Sequence, residues 1–165
     1  FGAGCYWCIE AVLQQVDGVT KLESGFMGGQ VDDPSYAAVC NGTTGHAEVV
    51  QLHFNPKVVS YRELLGWFWK LHDPTTLNRQ GADAGTQYRS AIYFHNEEQE
   101  AIAKDSKAKA NKSGVFDDPI VTEVTKADTF WKAKQDHQDY YRQNKQKNPY
   151  CQMISRKLMK LGLDY

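Results

Sequence analysis

The chain has 165 residues, 41% of them hydrophobic and 24% charged, with a formal net charge of −1. That length suits one domain over residues 1–165, and the composition is that of an ordinary soluble globule. The charge balance excludes a nucleic-acid or membrane partner recruited by bulk charge, and no apolar run is long enough to span a bilayer.

No signal peptide is visible, and the first residue is Phe1 rather than Met, so the natural N-terminus is expected upstream. Four cysteines in a chain this long do not read as a disulfide framework. They fit redox thiols in a reducing, cytoplasmic setting. The expected state is a monomer. No internal repeat and no second-domain boundary are found.

Phe1 to Ala3 reads as the end of a strand. The turn Gly2-Ala3-Gly4-Cys5 follows, then a helix from about Tyr6 to Gln15, with Ile9, Val12, Leu13 and Val16 at core-facing spacing. Cys5 is thus expected at the helix start, where free N–H groups and the dipole favour a thiolate and lower its pKa. A small buried hydrophobe is the plainer alternative. Tyr6 and Trp7 are either an apolar cage beside a nucleophile or core.

Asp17-Gly18 stops the helix, and Val19 to Phe26 has strand character. Met27 to Gly45 reads as a long Gly-, Asp- and Ser-rich loop carrying Tyr36 and Cys40, with Cys40 taken as structural. Glu48 to Phe54 is the clearest strand. Period two puts Glu48 on the apolar face with Val50 and Leu52. A carboxyl there keeps its proton near neutrality and can serve as a general acid. The other reading is a solvated residue beyond the buried part of the strand.

Ser60 and Glu63 form a capping box for a helix reaching Leu71. His72 to Gln87 reads as a second polar loop, with Asp83 between Gly81 and Gly85. Tyr88 to Phe94 is predicted as a strand. Asn96 and Gln99 cap a charged helix to about Ser113, ended by Gly114. Ile120 to Val124 is a short strand.

Beyond Asp128 the pattern blurs, with Phe130 and Trp131 as core or pocket wall and a short helix around His137 to Gln143. Asn144 to Pro149 reads as a mobile segment delivering Cys151, either a resolving thiol or a surface thiol without a role. Ile154, Leu158 and Leu161 suggest a last helix against the body. The mixture predicts an α+β fold, a two-layer sandwich with a mixed sheet, helices packed on it and an irregular C-terminal segment.

On residues alone, an activated thiol, a protonated carboxyl and a second thiol near the C-terminus converge on thiol redox chemistry. The main rival is a thioredoxin-like dithiol oxidoreductase using Cys5 and Cys8. A metal module of Cys5, Cys8, Cys151 and a histidine has weak ligand spacing, and a non-catalytic peptide-binding domain is a fourth reading.

Several stretches carry a family resemblance. Gly4-Cys5-Tyr6-Trp7-Cys8 resembles the signature of peptide methionine sulfoxide reductase A, where Phe is more usual than Tyr6. Gly28-Gly29, Pro34-Ser35-Tyr36, Gly42-Thr43-Thr44-Gly45-His46-Ala47-Glu48 and His72-Asp73-Pro74 resemble its further motifs in order. So do Gly81-Ala82-Asp83-Ala84-Gly85-Thr86-Gln87-Tyr88-Arg89-Ser90 and His137-Gln138-Asp139-Tyr140.

The resemblance implies that Cys5 attacks the sulfur of methionine-S-sulfoxide, free or in oxidised proteins. It implies that Glu48 protonates the oxygen, that Tyr36 and Tyr88 hydrogen-bond it, and that Asp83 orders the polar site. Tyr6 and Trp7 would hold the methyl group. Cys151 would resolve the Cys5 sulfenic acid to a disulfide that thioredoxin reduces, with no other cofactor and no metal. Departures from the pattern are Tyr6, Phe26 in place of Tyr, Ala82 in place of Asn, and Cys8 where many members have Gly. Cys8 is thus an alternative resolving thiol, a relay, or a buried helix-face cysteine.

Overall fold

The computed structural model describes residues 1–165. Its first helix, α1 (Tyr6–Leu13), is buried on almost every side, and a turn with Gly18 at φ 98° leads into β1 (Val19–Met27). β1 pairs antiparallel with β2 (Ala47–Phe54), in a register that sets Phe26 opposite Glu48. Between them lies α2 (Tyr36–Cys40), inside the stretch expected to be a loop. The Ser35 side chain caps it by accepting from Ala38 N–H at 3.1 Å. Five residues are too few to display a helical period.

The capping box of Ser60 and Glu63 opens α3 (Tyr61–Leu71), as expected. The second polar stretch contains a small hairpin, β3 (Arg79–Gln80) with β4 (Asp83–Ala84), then a tight turn at Thr86–Tyr88. Tyr88 therefore lies outside the strand expected to hold it, and β5 is Ala91–Phe94. Asn96 caps α4 (Glu97–Lys112). β6 (Glu123–Lys126) pairs parallel with β5 and starts later than Ile120, which is buried but unpaired in a strand. β7 (Trp131–Lys132) pairs with β1.

The chain ends in α5 (Tyr140–Asn144) and α6 (Tyr150–Lys160). The C-terminal segment is thus irregular only as far as Pro149. In residues 144–149, the segment expected to be mobile, Asn148 Nδ2 donates to the Tyr140 hydroxyl at 2.8 Å, and Tyr150 N–H donates to Asn148 Oδ1 at 3.0 Å.

Phe1 and Gly2 join the two main sheets, as their expected strand character implies. Phe1 N and Val50 O, and Val50 N and Phe1 O, are 2.9 Å apart. Gly2 exchanges both backbone bonds with Ala91 at 2.8 Å. The order across the resulting mixed sheet is β6, β5, residues 1–3, β2, β1, β7. Ile9 and Leu13 of α1, Leu65 and Phe68 of α3, and Ile154 and Leu158 of α6 form the main core with Phe26 and Val50 of the sheet. Burial of this apolar surface is the main stabilising contribution.

Two buried polar side chains hold the C-terminal region in place. Glu10 accepts from Ser24 Oγ at 3.3 Å and from Tyr140 N–H at 3.1 Å, and burial raises its pKa. Gln138 bonds both backbone groups of Ser24, at 2.9 and 2.8 Å.

Gly25 in β1 is required by close approach. A Cβ there would lie 2.4 Å from the Trp131 carbonyl oxygen and 2.6 Å from the Phe130 ring. Gly25→Ala is expected to lower the thermal midpoint by several degrees, from a cost of about 1–3 kcal/mol. Calorimetry checks this, and an unchanged midpoint would show that β7 yields without cost.

Candidate active site

The site is built where α1 starts against the sheet. Gly4 (φ 89°) turns the chain, and a Cβ there would lie 2.7 Å from Gln80 Cγ, so the β3 hairpin closes over this turn. Cys5 is the N-cap of α1 and is 7% exposed. The expected lowering of its pKa is not found. Burial raises the thiol well above its ordinary value, the neighbouring Glu48 carboxyl and Cys8 add to this, and the Trp7 N–H and the Tyr150 hydroxyl oppose it. A helix start supplies only local donors, and desolvation of the anion outweighs them.

Glu48 lies on β2 with 1% exposure, which decides between its two readings. Tyr6 N–H donates to Glu48 Oε1 at 3.1 Å, while Oε2 is buried without a partner. Burial raises this carboxyl to about 8; the Tyr6 N–H opposes the shift and Asp83 adds to it. A carboxyl raised to about 8 keeps its proton at neutral pH.

Tyr36 at the start of α2 and Tyr88 both feel the charges of Glu48 and Cys5. Burial is the main cause that raises both phenols, so they are neutral donors. The Cys40 thiol lies against both hydroxyls. That places Cys40 beside the polar site, whereas the sequence showed only a structural cysteine.

Asp83 of β4 accepts from the Tyr150 hydroxyl at 2.6 Å, and that hydroxyl also contacts the Cys5 and Cys8 thiols. Tyr150 is the central group that the sequence did not reveal. Its only signal was adjacency to Cys151, because the contact spans 67 positions.

The aromatic pair divides its tasks. Tyr6 is fully buried, and its hydroxyl lies 2.6 Å from His137 Nδ1. Burial raises the phenol and lowers the imidazole, so Tyr6 donates to a neutral ring. The hydroxyl is therefore held by His137. Trp7 stacks on Tyr140 at 3.7 Å and 6°, with Tyr36 and Tyr150 around it. Tyr6, Tyr36 and His137 also wall a cleft of about 490 Å³ that reaches Lys134 and Asp136.

Cys8 lies one turn after Cys5, and burial raises its thiol, with Lys157 opposing. Cys151, in the first turn of α6, is 0% exposed, which excludes the surface-thiol reading. Cys8 and Cys151 share the main core, and all four cysteines are free. Cys5 has Cys8 as its thiol neighbour, and Cys8 has Cys151. No cluster of three or more His, Cys, Asp or Glu side chains is arranged to hold a metal ion.

The arrangement sets a buried thiol, a protonated carboxyl and two neutral phenols within electrostatic reach of one another, beside the aromatic rings of Tyr6 and Trp7. It suits attack on an electrophilic atom that carries a basic oxygen. The family model described as peptide methionine sulfoxide reductase matches residues 1–162.

Peptide methionine sulfoxide reductase MsrA of Methanoculleus marisnigri is 55% identical over 141 residues, 86% of each chain. That of Deinococcus radiodurans is 50% identical over all of this chain and 80% of its own. Among solved structures, reduced Mxr1 from Saccharomyces cerevisiae is similar with a TM-score of 0.84 and 33% identity, covering 89% of this chain and 84% of its own. Methionine sulfoxide reductase A of Corynebacterium diphtheriae has a TM-score of 0.77 and 35% identity, over 87% and 73%. With the whole chain matched and the fold shared, this protein belongs to the peptide methionine sulfoxide reductase family of oxidoreductases.

Proposed function

We propose that the chain reduces methionine-S-sulfoxide, free or in oxidised proteins, through a sulfenic acid on Cys5. The observation that carries this reading is Glu48: a buried carboxyl that keeps its proton near neutrality, with one oxygen unpartnered, beside a buried thiol. The sulfoxide oxygen accepts hydrogen bonds from Glu48, Tyr36 and Tyr88, with Asp83 and Tyr150 ordering the polar side. Trp7 and the Tyr6 ring enclose the methyl group. The cleft beside His137 gives room to the flanking peptide.

Glu48 gives its proton to the oxygen and takes up the Cys5 thiol proton, which answers how a thiol with a raised pKa becomes a nucleophile. Cys5 sulfur attacks the sulfoxide sulfur, and the hydroxyl passes to Cys5. Methionine leaves reduced by two electrons, and Cys5 is left as Cys–SOH, oxidised by two.

The thiol of Cys151 then attacks Cys5 sulfur and expels water to form a disulfide, which thioredoxin reduces. Cys8 has the Cys151 thiol as an electrostatic neighbour and itself neighbours Cys5, so it is the alternative resolving thiol. The reading is of one catalytic domain acting as a monomer in a reducing compartment.

The test is turnover of a methionine-S-sulfoxide peptide driven by dithiothreitol, then by thioredoxin. Cys151→Ser is expected to release one methionine per chain and to stop thioredoxin-driven recycling. Recycling by Cys151→Ser that Cys8→Ser abolishes would assign resolution to Cys8. A wild type inactive with dithiothreitol would overturn the reading.

A further inference from the structure

Near the thiols, on the side of Lys157 and Gln80, lies a groove of about 430 Å³ between α3 and α6. Its rim is strongly basic. Lys70 comes from α3, and Arg156, Lys157 and Lys160 come from α6, against one carboxylate, Asp73. Asp73 Oδ1 is engaged by the Thr75 N–H at 3.0 Å and the Thr75 hydroxyl at 2.6 Å. None of the four cations is in an ion pair.

Lys157 and Lys160 complement the dipole at the end of α6, which accounts for two of them within the helix. Arg156 sits four residues before Lys160, a like-charge spacing that weakens a helix. Lys70 is brought alongside only by the tertiary fold. The same helix exposes Met153 and Met159, at 50% and 54%. Met and Arg are enriched where proteins meet, and flexible Met side chains adapt to a partner.

The position matters more than the charge. The groove includes Gln80, which closes over Gly4 beside Cys5, and Lys157, whose charge reaches the Cys8 thiol. Cys151 begins the helix that carries three of the cations.

We propose that this basic, Met-bearing face of α6 with Lys70 is the docking surface for the protein that recycles the enzyme: a dithiol protein whose thiol pair is rimmed by carboxylates. The proposal rests on the reading that Cys151 ends each cycle in a disulfide. The partner's thiolate attacks one sulfur of that disulfide, forming a mixed disulfide and releasing one thiol here. The partner's second thiol attacks the mixed bond, which returns the other thiol and leaves the partner oxidised by two electrons. The cations steer the acidic rim onto α6, and contacts with Met153 and Met159 hold it where the buried disulfide emerges.

The experiment compares two reductants on one enzyme. The triple variant Lys70→Glu, Arg156→Glu, Lys160→Glu is assayed with an acidic thioredoxin and with uncharged dithiothreitol. The KM for thioredoxin is expected to rise on the order of 10- to 100-fold, and the wild-type KM to rise with added salt. Dithiothreitol-driven turnover stays at its wild-type value, and the thermal midpoint falls only slightly, from loss of the Lys160 charge at the end of α6. Arg156→Lys, which keeps the charge, retains the wild-type KM. A thioredoxin KM unmoved by the triple variant overturns the proposal, as does an equal loss with both reductants. A wild type active with dithiothreitol but not with thioredoxin also overturns it, and leaves the reductase reading standing. A wild type inactive with both overturns the reading beneath it.

Discussion

Cys5→Ser is expected to lower sulfoxide reduction by roughly four orders of magnitude or more, because no other group here can accept the oxygen. The loss should come without unfolding. Cys5 occupies the N-cap of α1 with an extended backbone (φ −60°, ψ 126°) and makes no side-chain cap bond. Serine is among the preferred N-cap residues and its hydroxyl can reach the free N–H groups of the first turn. The variant should therefore melt at or above the wild-type temperature while being inactive with both dithiothreitol and thioredoxin. Residual turnover above a few per cent would mean that Cys8 or another thiol can take the first step. An inactive but destabilised protein would leave catalysis and folding entangled, and circular dichroism beside the assay separates them.

Glu48→Gln should cost about 10²- to 10⁴-fold in kcat, the usual contribution of a placed general acid. It should also change the shape of the pH profile. The proton on Glu48 is present well above the ordinary carboxyl range, since burial raises its pKa from 4.5 to about 8. Wild-type kcat is then expected to hold from mildly acidic pH up to neutrality and to fall as pH rises through about 8. The variant lacks that limb, because an amide does not titrate.

Stability follows the same group with a definite sign. A carboxyl whose folded pKa lies above its unfolded one takes up a proton on folding between those values. Its stabilising contribution is complete below about 4.5 and is lost as pH rises through about 8. Charging Glu48 at pH 9 leaves an anion that is 1% exposed, with Oε2 unpartnered. Glu48→Gln removes that cost and should be more stable than wild type in alkaline solution. Urea titrations at pH 6 and pH 9 measure this, and a stability difference that does not change between them would count against a raised pKa.

Much of this architecture is legible in one dimension. Period two marked β2 and put Glu48 on its buried side, and the Ser60–Glu63 box and the Asn96 cap marked the starts of α3 and α4. Each is a local signal, carried by residues within one turn or one pleat of each other. The short pieces escaped: α2 and the β3–β4 hairpin are five residues or fewer per element and have no period to read. The boundaries of β5 and β6 moved for a related reason, since pairing across the sheet rather than composition decides where a strand begins.

The chemistry divides along the same line. The types of group, a thiol at a helix start and a carboxyl on an apolar face, follow from the sequence because spacing and side-chain chemistry are local. Their protonation does not follow, because it depends on what covers them. Burial by the β3 hairpin, α2 and α6 turned the expected low pKa of Cys5 into a raised one. The Tyr6 hydroxyl was assigned to His137 across 131 positions, and Tyr150 was set between Asp83 and two thiols. By itself the sequence determined which reactive groups this protein carries and the elements that present them. Tertiary structure decided which groups are dry, which donors meet and where the cations of α3 and α6 converge, because desolvation and long-range contact exist only in the folded chain.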